Sequence, residues 1–334
     1  MPSPRLLPEI LIEILGYLKI PLFLGLKERQ HINLQPLYSC LCVSKQWYTI
    51  VAPLLWDQPF SYIGYESEKD KLLLVNVYLE FISQLDRENI EATGITFPKN
   101  FRQPYLHYPS FLKNMHYGVL LDAVQLWCQK NSEKTMKPSS VTMTLETILK
   151  LFSKSDGVLT HMSATFGPRK KGVCMYPVLK EAEIAELVKS VKFLYIGGWA
   201  KKAELFEMLA NNCQNLQVLK ISIIHAPTDS HRTSEITCNN LASLIRNQRH
   251  ITEFELADCL DHIDAVMEAL SIRSATLTKL SFKKCSFSGC RKWEGFSNCT
   301  GLKSFVISRC FLDNDDETIF DTIPFEKHMQ TDAA

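Results

Sequence analysis

LTKLSFKKC, the stretch from Leu277 to Cys285, carries apolar residues at its first, fourth and sixth positions. The fourth and sixth positions are two residues apart, as on one face of a β-strand. The same arrangement occurs in VKFLYIGGW from Val191, LQVLKISII from Leu216, ITEFELADC from Ile251 and LKSFVISRC from Leu302. We therefore expect five similar strands, with the residues at positions 1, 4 and 6 buried.

The spacing of these stretches predicts a repeating fold. Their starts, at residues 191, 216, 251, 277 and 302, are 25 to 35 residues apart. Helical patterns such as AELFEMLANN and IDAVMEALS fill most of the intervals, and such strand–helix units bury their apolar faces by stacking on one another. We expect an α/β fold with the strands parallel in one sheet. LTHMSA, with Leu159, Met162 and Ala164 in the same register, is a candidate for one further unit.

Cysteines recur at fixed places in this pattern. Cys259, Cys285 and Cys310 occupy position 9, while Cys213 and Cys299 lie three residues before position 1. The pattern resembles the cysteine-containing class of leucine-rich repeats, a class often joined to an F-box. This resemblance implies a leucine-rich-repeat solenoid with a curved parallel sheet.

The segment before residue 60 is rich in apolar residues at helical spacing. In LLPEILIEILGYL, Leu6 to Leu18, Pro8 and Glu9 suit the first turn of a helix. PLYSCLCV is a second short apolar segment, and in VSKQWYTIVAPLLW, Val43 to Trp56, Ser44 can cap a third helix. Pro53 is expected to kink or end that helix. Three short helices bury little surface, so their apolar faces should contact either the rest of the chain or a partner.

These N-terminal motifs resemble the F-box: LLPEILIEILGYL, then LYSCLCVSKQW, then APLLW, from Leu6 to Trp56. Two features depart from that family, since Pro8 directly precedes Glu9 and the segment from Lys19 to Leu34 is longer than usual. The resemblance implies docking to a Skp-type adaptor, and through it to a cullin. The residues expected to form or support the docking surface are Leu7, Pro8, Ile10, Leu11, Ile14, Val43 and Trp47. For Trp47, packing within the helical module is the alternative.

Between these two parts we expect a helical connector with an irregular loop. Helical patterns run from Glu66 to Leu85, from Tyr117 to Lys130 and from Leu145 to Phe152. Residues 97–111, FPKNFRQPYLHYPSF, are typical of extended chain because their prolines interrupt a helix. The predicted domains are the F-box at 1–60, the connector at 61–155, the repeats at 156–326 and a tail at 327–334.

Side chains at positions 3, 5 and 7 of the strands point away from the face that carries positions 4 and 6. Along the predicted sheet they change from aromatic through acidic to basic. We expect this concave face to bind a protein substrate through aromatic anchors and complementary charge. The alternative is a solvated face whose charges keep the protein soluble. The candidate residues are Phe193, Tyr195, Val218, Lys220, Glu253, Glu255, Lys279 and Lys283.

Composition and charge limit the other classes of function. Lys and Arg total 37 against 36 acidic residues, a net charge of +1, so no nucleic-acid partner is expected. Glu9, Glu13 and Lys19 interrupt the apolar N-terminal stretch, which argues against a signal peptide, a membrane span or a membrane partner. Eleven cysteines in such a chain indicate reduced thiols and a cytoplasmic or nuclear location.

No sequence motif indicates catalysis or a metal site. Zinc sites need properly spaced pairs of cysteine or histidine, and the chain offers none of that form. The weaker candidates are Cys40 with Cys42, Cys285 with Cys290, and the group of His225, His231 and Cys238. For the last group an exposed loop is the preferred interpretation, and we expect no enzyme activity and no cofactor.

The two resemblances together imply a substrate-recognition subunit of a Skp–cullin–F-box (SCF) E3 ubiquitin ligase. In such a protein the F-box docks the adaptor, and the repeats bind a substrate for ubiquitin-dependent proteasomal degradation. The alternative is a leucine-rich-repeat interaction scaffold that is not coupled to ubiquitination.

Overall fold

The chain is α/β, with helices in its first part and, in its second, parallel strands that alternate with helices. A computed structural model describes residues 7–17, 34–62, 67–98, 104–132, 135–166, 182–198, 202–224, 231–288, 290, 295–296 and 299–312. Contacts divide the chain into two units, Met1–Leu159 and Thr160–Ala334. The long segment that begins at Lys19, apart from Leu34, and the tail at 327–334 lie outside the described residues.

The first unit is mainly helical. Its elements are α1 (Pro8–Gly16), α2 (Gln35–Leu41), α3 (Lys45–Trp56), α4 (Pro59–Tyr62), α5 (Glu68–Leu79), α6 (Gln84–Glu91), a 3-10 turn (Tyr108–Phe111), the short strand β1 (Asn114–His116), α7 (Tyr117–Asn131) and α8 (Pro138–Lys154). The helix predicted from Tyr117 to Lys130 is confirmed as α7.

Helices α1, α2 and α3 share one small core. Both α1 and α2 pack on α3. The buried residues of this core are Leu11, Leu15, Leu37, Ile50, Val51 and Leu55. Ser44 caps α3 as predicted, because its Oγ accepts a hydrogen bond from the Trp47 N–H at 3.2 Å. Pro53 does not end the helix, which continues to Trp56, since the buried Leu55 holds the last turn against the core.

The connector differs from its prediction at three places. The helix expected from Glu66 to Leu85 is two helices, because Ser83 starts α6 by accepting a hydrogen bond from the Asp86 N–H at 3.1 Å. Helix α8 begins at Pro138 instead of Leu145, since a proline in the first turn loses no helical hydrogen bond. In the stretch expected to be extended, the last four residues form the 3-10 turn.

Aromatic side chains join α3 to the connector within the first unit. The Trp56 ring stacks on Tyr108 with centroids 4.2 Å apart and meets Tyr78 edge-on at 5.7 Å. Tyr78 is fully buried and packs on Phe152 of α8. The end of the apolar stretch from Val43 to Trp56 is therefore covered by the chain itself.

In the described part of the second unit, six parallel strands are paired in chain order. They are β2 (His161–Phe166), β3 (Phe193–Gly198), β4 (Val218–Ser222), β5 (Glu253–Ala257), β6 (Lys279–Lys283) and β7 (Ser304–Ser308). The predicted parallel pairing is confirmed, and the residues at position 3 are register partners from Phe193 through to Ser304. LTHMSA belongs to the same series, because its third residue, His161, is the partner of Phe193.

Helices separate most of these strands. They are α9 (Ala182–Lys189), α10 (Lys202–Asn212), α11 (His231–Arg246) and α12 (Asp264–Ile272), followed by a 3-10 turn (Ser274–Thr276). Consecutive helices from α9 to α12 pack on one another. The residues at positions 1, 4 and 6 are buried as predicted except for Ile307 in β7, which is half-buried. No later strand is present among the described residues to cover it.

Four of the strands have a left-handed backbone conformation at, or directly after, their last residue. Position 8 has a left-handed backbone in Gly198, Asp258, Lys284 and Arg309, with φ of 87°, 58°, 53° and 55°. The cysteines at position 9 come next and follow the carboxyl ends of β5, β6 and β7. The first two of these cysteines are buried and Cys310 is half-buried.

Candidate interaction surfaces

Helix α1 has apolar residues on two sides, and the core uses one of them. Leu11 and Leu15 are buried in the core shared with α2 and α3. Leu7, Ile10 and Ile14 are 61%, 42% and 49% exposed. Residues three and four apart on a helix share a face, so these three lie together on its solvent side. We name Leu7, Ile10 and Ile14 the α1 surface.

The other four predicted adaptor residues differ in exposure. Pro8 is exposed in the first turn of α1, and Val43, between α2 and α3, is 60% exposed. Trp47 is half-buried and packs against the core, so part of its role is structural. Leu11 is only 4% exposed, so it has no surface to offer a partner. It supports α1 from the side of the core.

A groove of about 430 Å³ lies at the start of α3. It is lined by Leu41, Ser44, Lys45, Tyr48 and Tyr105. The Lys45 Nζ lies 4.7 Å from the centroid of the Tyr105 ring, a cation–π distance. The groove is not predicted from the sequence, because Tyr105 comes from the connector, far along the chain from α3. The one feature of the sequence that points to the groove is the group of aromatic residues between the prolines of the connector.

The first strands of the second unit carry stacked aromatic rings on the face of positions 3, 5 and 7. The rings of His161 and Phe193 have centroids 4.1 Å apart and planes 3° apart. Burial lowers the pKa of His161, which favours the neutral ring. The Tyr195 hydroxyl lies against Gly197, where an added Cβ would be 2.8 Å away. His161 was not among the predicted residues, although it stands at position 3 of LTHMSA.

The middle strand, β4, contributes one apolar and one basic residue to this face. Val218 is half-buried at position 3, and Lys220 is exposed at position 5. In the register Lys220 lies between Tyr195 and Glu255. Lys220 makes no ion pair with any other described residue.

The acidic and basic residues farther along this face neutralise one another. Lys279 Nζ lies 2.7 Å from Glu253 Oε1, and Lys283 Nζ lies 2.8 Å from Glu255 Oε1. Exposed pairs of this kind contribute about 0–1 kcal/mol each. The eight predicted substrate residues thus lie on one face of one sheet, but four of the charges pair within the chain.

No model of a known protein family matches the chain, and no match is found among curated proteins. The α1 surface and the sheet face are therefore the features from which a function can be inferred.

Among the described side chains, no three from His, Cys, Asp and Glu converge as metal ligands would. The side chains of His225 and His231 lie outside the described residues, and Cys238 is buried. No disulfide joins any two of the described cysteines. Of the helices in the described ranges, none is both long and apolar enough to cross a membrane.

Proposed function

We propose that the chain is the substrate-recognition subunit of an SCF E3 ubiquitin ligase and acts in the cytoplasm or the nucleus. The α1 surface is the observation that carries this proposal. It exposes three large apolar side chains on a helix whose other side already fills a core. Exposed apolar groups in such a cluster mark sites for protein partners.

In this proposal α1, α2 and α3 are the F-box, and the α1 surface contacts a Skp-type adaptor that links the chain to a cullin. Burying one Leu or Ile side chain contributes about 1.5–3 kcal/mol, and a few such anchors dominate a typical interface. Pro8 and Val43 are exposed and add to the contact. Leu11 and Trp47 hold the helices in place from the core side.

The second unit supports the part of the proposal that concerns substrate binding. Its strands have one common register, their apolar positions are buried except for Ile307, and cysteines follow three of them. These features are those expected of leucine-rich repeats of the cysteine-containing type. We assign them the binding of a protein substrate on the sheet face, for ubiquitin-dependent proteasomal degradation.

An interaction scaffold without a ligase is the second candidate. The observation that favours it is the packing of Trp56 on Tyr108 and Tyr78, because it shows that part of the N-terminal apolar surface is covered internally. A scaffold would keep the partner of the sheet face and bind no adaptor.

Adaptor binding by the Leu7→Ala, Pro8→Ala double variant tests the proposal. Removing these exposed groups should weaken binding to a purified Skp-type adaptor by about 10- to 100-fold, since the two apolar contacts together contribute on the order of 1.4–2.8 kcal/mol. Calorimetry or pulldown measures the loss, and circular dichroism should show an unchanged fold.

Leu85→Ala is the matched control, because Leu85 of α6 is also apolar and 66% exposed in the same unit. It should bind the adaptor as the unchanged chain does. Full-strength binding by the double variant would contradict the docking role of α1, and absence of binding by the unchanged chain would favour the scaffold.

A further inference from the structure

The cysteines that follow β6 and β7 are direct neighbours. Lys283 and Ser308 are the last register partners of these strands, and each cysteine lies two residues beyond. The backbone N–H of Cys285 donates a hydrogen bond to Cys310 Sγ at 3.3 Å. Adjacent strands are about 4.8 Å apart, within the Cα–Cα range of about 4.4–6.8 Å that a disulfide spans.

The two thiols differ in exposure and in acidity. Cys285 is buried, whereas Cys310 is half-buried and can meet a small solute. A hydrogen bond from the Cys285 thiol, together with the backbone N–H of Cys285, lowers the pKa of Cys310 to about 7, although burial opposes this effect. The hydrogen bond between the two thiols, together with burial, raises the pKa of Cys285.

Four of the other described cysteines have less acidic thiols. Burial raises the pKa of Cys128 and Cys299 to about 11 and that of Cys213 to about 12. Cys259, which has its own thiol neighbour in Cys238 at 3.9 Å, also has a raised pKa, because of its hydrogen bond with Cys238 and its burial. The thiolate is the reactive form of cysteine, so Cys310 combines reactivity with access.

We propose that Cys310 is a site of oxidation by hydrogen peroxide and that Cys285 resolves the product into a Cys285–Cys310 disulfide. The proposal rests on the contact between the two residues and on the exposure of Cys310. Disulfides in reducing compartments are usually transient and redox-sensing, which fits a bond formed only under oxidation.

The oxidation takes two steps. The Cys310 thiolate attacks one peroxide oxygen, the O–O bond breaks, and the departing hydroxide takes a proton to become water. Cys310 is now a sulfenic acid. The Cys285 sulfur then loses its proton and attacks the Cys310 sulfur, the S–O bond breaks, and the hydroxide leaves with that proton as a second water. One peroxide is reduced and two thiols are oxidised to one disulfide.

The test exposes the reduced full chain to hydrogen peroxide at neutral pH, blocks the remaining thiols and maps its peptides by mass spectrometry without reduction. We expect one linked pair, the peptides of Cys285 and Cys310. Cys285→Ala should abolish the link and leave a sulfenic acid at Cys310 that dimedone traps. Cys310→Ser should abolish both products, and the control Cys42→Ser, at an exposed cysteine, should change neither.

Alkylation by iodoacetamide gives a readout that does not require the disulfide. The rate at Cys310 should rise with a midpoint near pH 7, and Cys285→Ala should move that midpoint upward because a hydrogen bond to the thiolate is lost. Absence of the linked pair, linkage of Cys310 to Cys290 instead, or dimedone labelling of Cys285 in Cys310→Ser would overturn the proposal.

Discussion

At the scale of single residues, position 8 has a left-handed conformation at the end of four strands, β3, β5, β6 and β7. Gly198 adopts it freely, whereas Lys284 and Arg309 have a Cβ that makes it unfavourable by about 1–2 kcal/mol. At Asp258 the carboxylate accepts a hydrogen bond from the Ser222 hydroxyl at 2.8 Å, which supports the turn. The left-handed conformation at this position cannot be predicted from the sequence, because three of the four residues that adopt it are not glycine.

Lys284→Gly should therefore stabilise the second unit. Relief of the backbone strain, less the entropy that glycine loses on folding, predicts a gain of about 0.5–1 kcal/mol in the free energy of unfolding. Chemical denaturation measures it. The control is Lys283→Gly, one residue earlier in β6, which should lower stability because a strand does not need a left-handed residue. A loss in both variants would contradict the strain argument.

At the scale of elements, local caps decide boundaries that periodicity conceals. Apolar residues continue at helical spacing through Leu79, Ile82 and Leu85, so periodicity alone predicts one helix. Ser83 starts a second helix, and its hydroxyl donates a hydrogen bond to Asp86 Oδ2 at 2.7 Å while accepting one from the Asp86 N–H. This Ser-x-x-Asp signal is present in the sequence and outweighs the periodicity at this point.

Ser83→Ala should destabilise the first unit by about 1 kcal/mol, because it removes the acceptor for a backbone N–H at the start of α6. Thermal and chemical unfolding measure the change. Ser139→Ala provides the comparison, since Ser139 is exposed in the first turn of α8 and should shift stability by less than about 0.5 kcal/mol. Equal effects of the two substitutions would rule out a special role for the cap.

At the scale of the whole chain, alternation along a strand predicts the register but not the contacts between side chains. Positions 4 and 6 locate the six strands that are described in the second unit, because one face of each must be buried. The ion pair of Lys283 with Glu255 runs diagonally from position 7 to position 5. Such pairs, like the groove at Tyr105, depend on side-chain directions that a one-dimensional pattern does not contain.

Two sets of variants of the sheet face test its proposed role in substrate binding. Phe193→Ala with Tyr195→Ala should remove the aromatic anchors and reduce by tenfold or so the substrates captured, while adaptor binding persists. Glu253→Lys with Glu255→Lys should abolish or redirect capture, because it reverses the local charge. Quantitative mass spectrometry of proteins that co-purify from proteasome-inhibited cells measures both effects.

Charge reversal also breaks two ion pairs, so a compensated variant is needed as a control. Adding Lys279→Glu and Lys283→Glu restores both pairs in the opposite order and with them any lost stability. If the face recognises charge, the compensated variant still captures a different set of proteins. Capture that is unchanged in the aromatic, reversed and compensated variants alike would exclude this face as the substrate site.

The pairing of each strand from β3 to β7 with the strand before it bears on how the protein is made. A chain leaves the ribosome from its N-terminus, so each new strand emerges after the strand with which it pairs has been synthesised. Successive starts are 25 to 35 residues apart, so little chain must be closed into a loop before the next strand docks. Folding can thus keep pace with translation, one strand–helix repeat at a time. An interrupted synthesis would leave a shorter stack of paired strands.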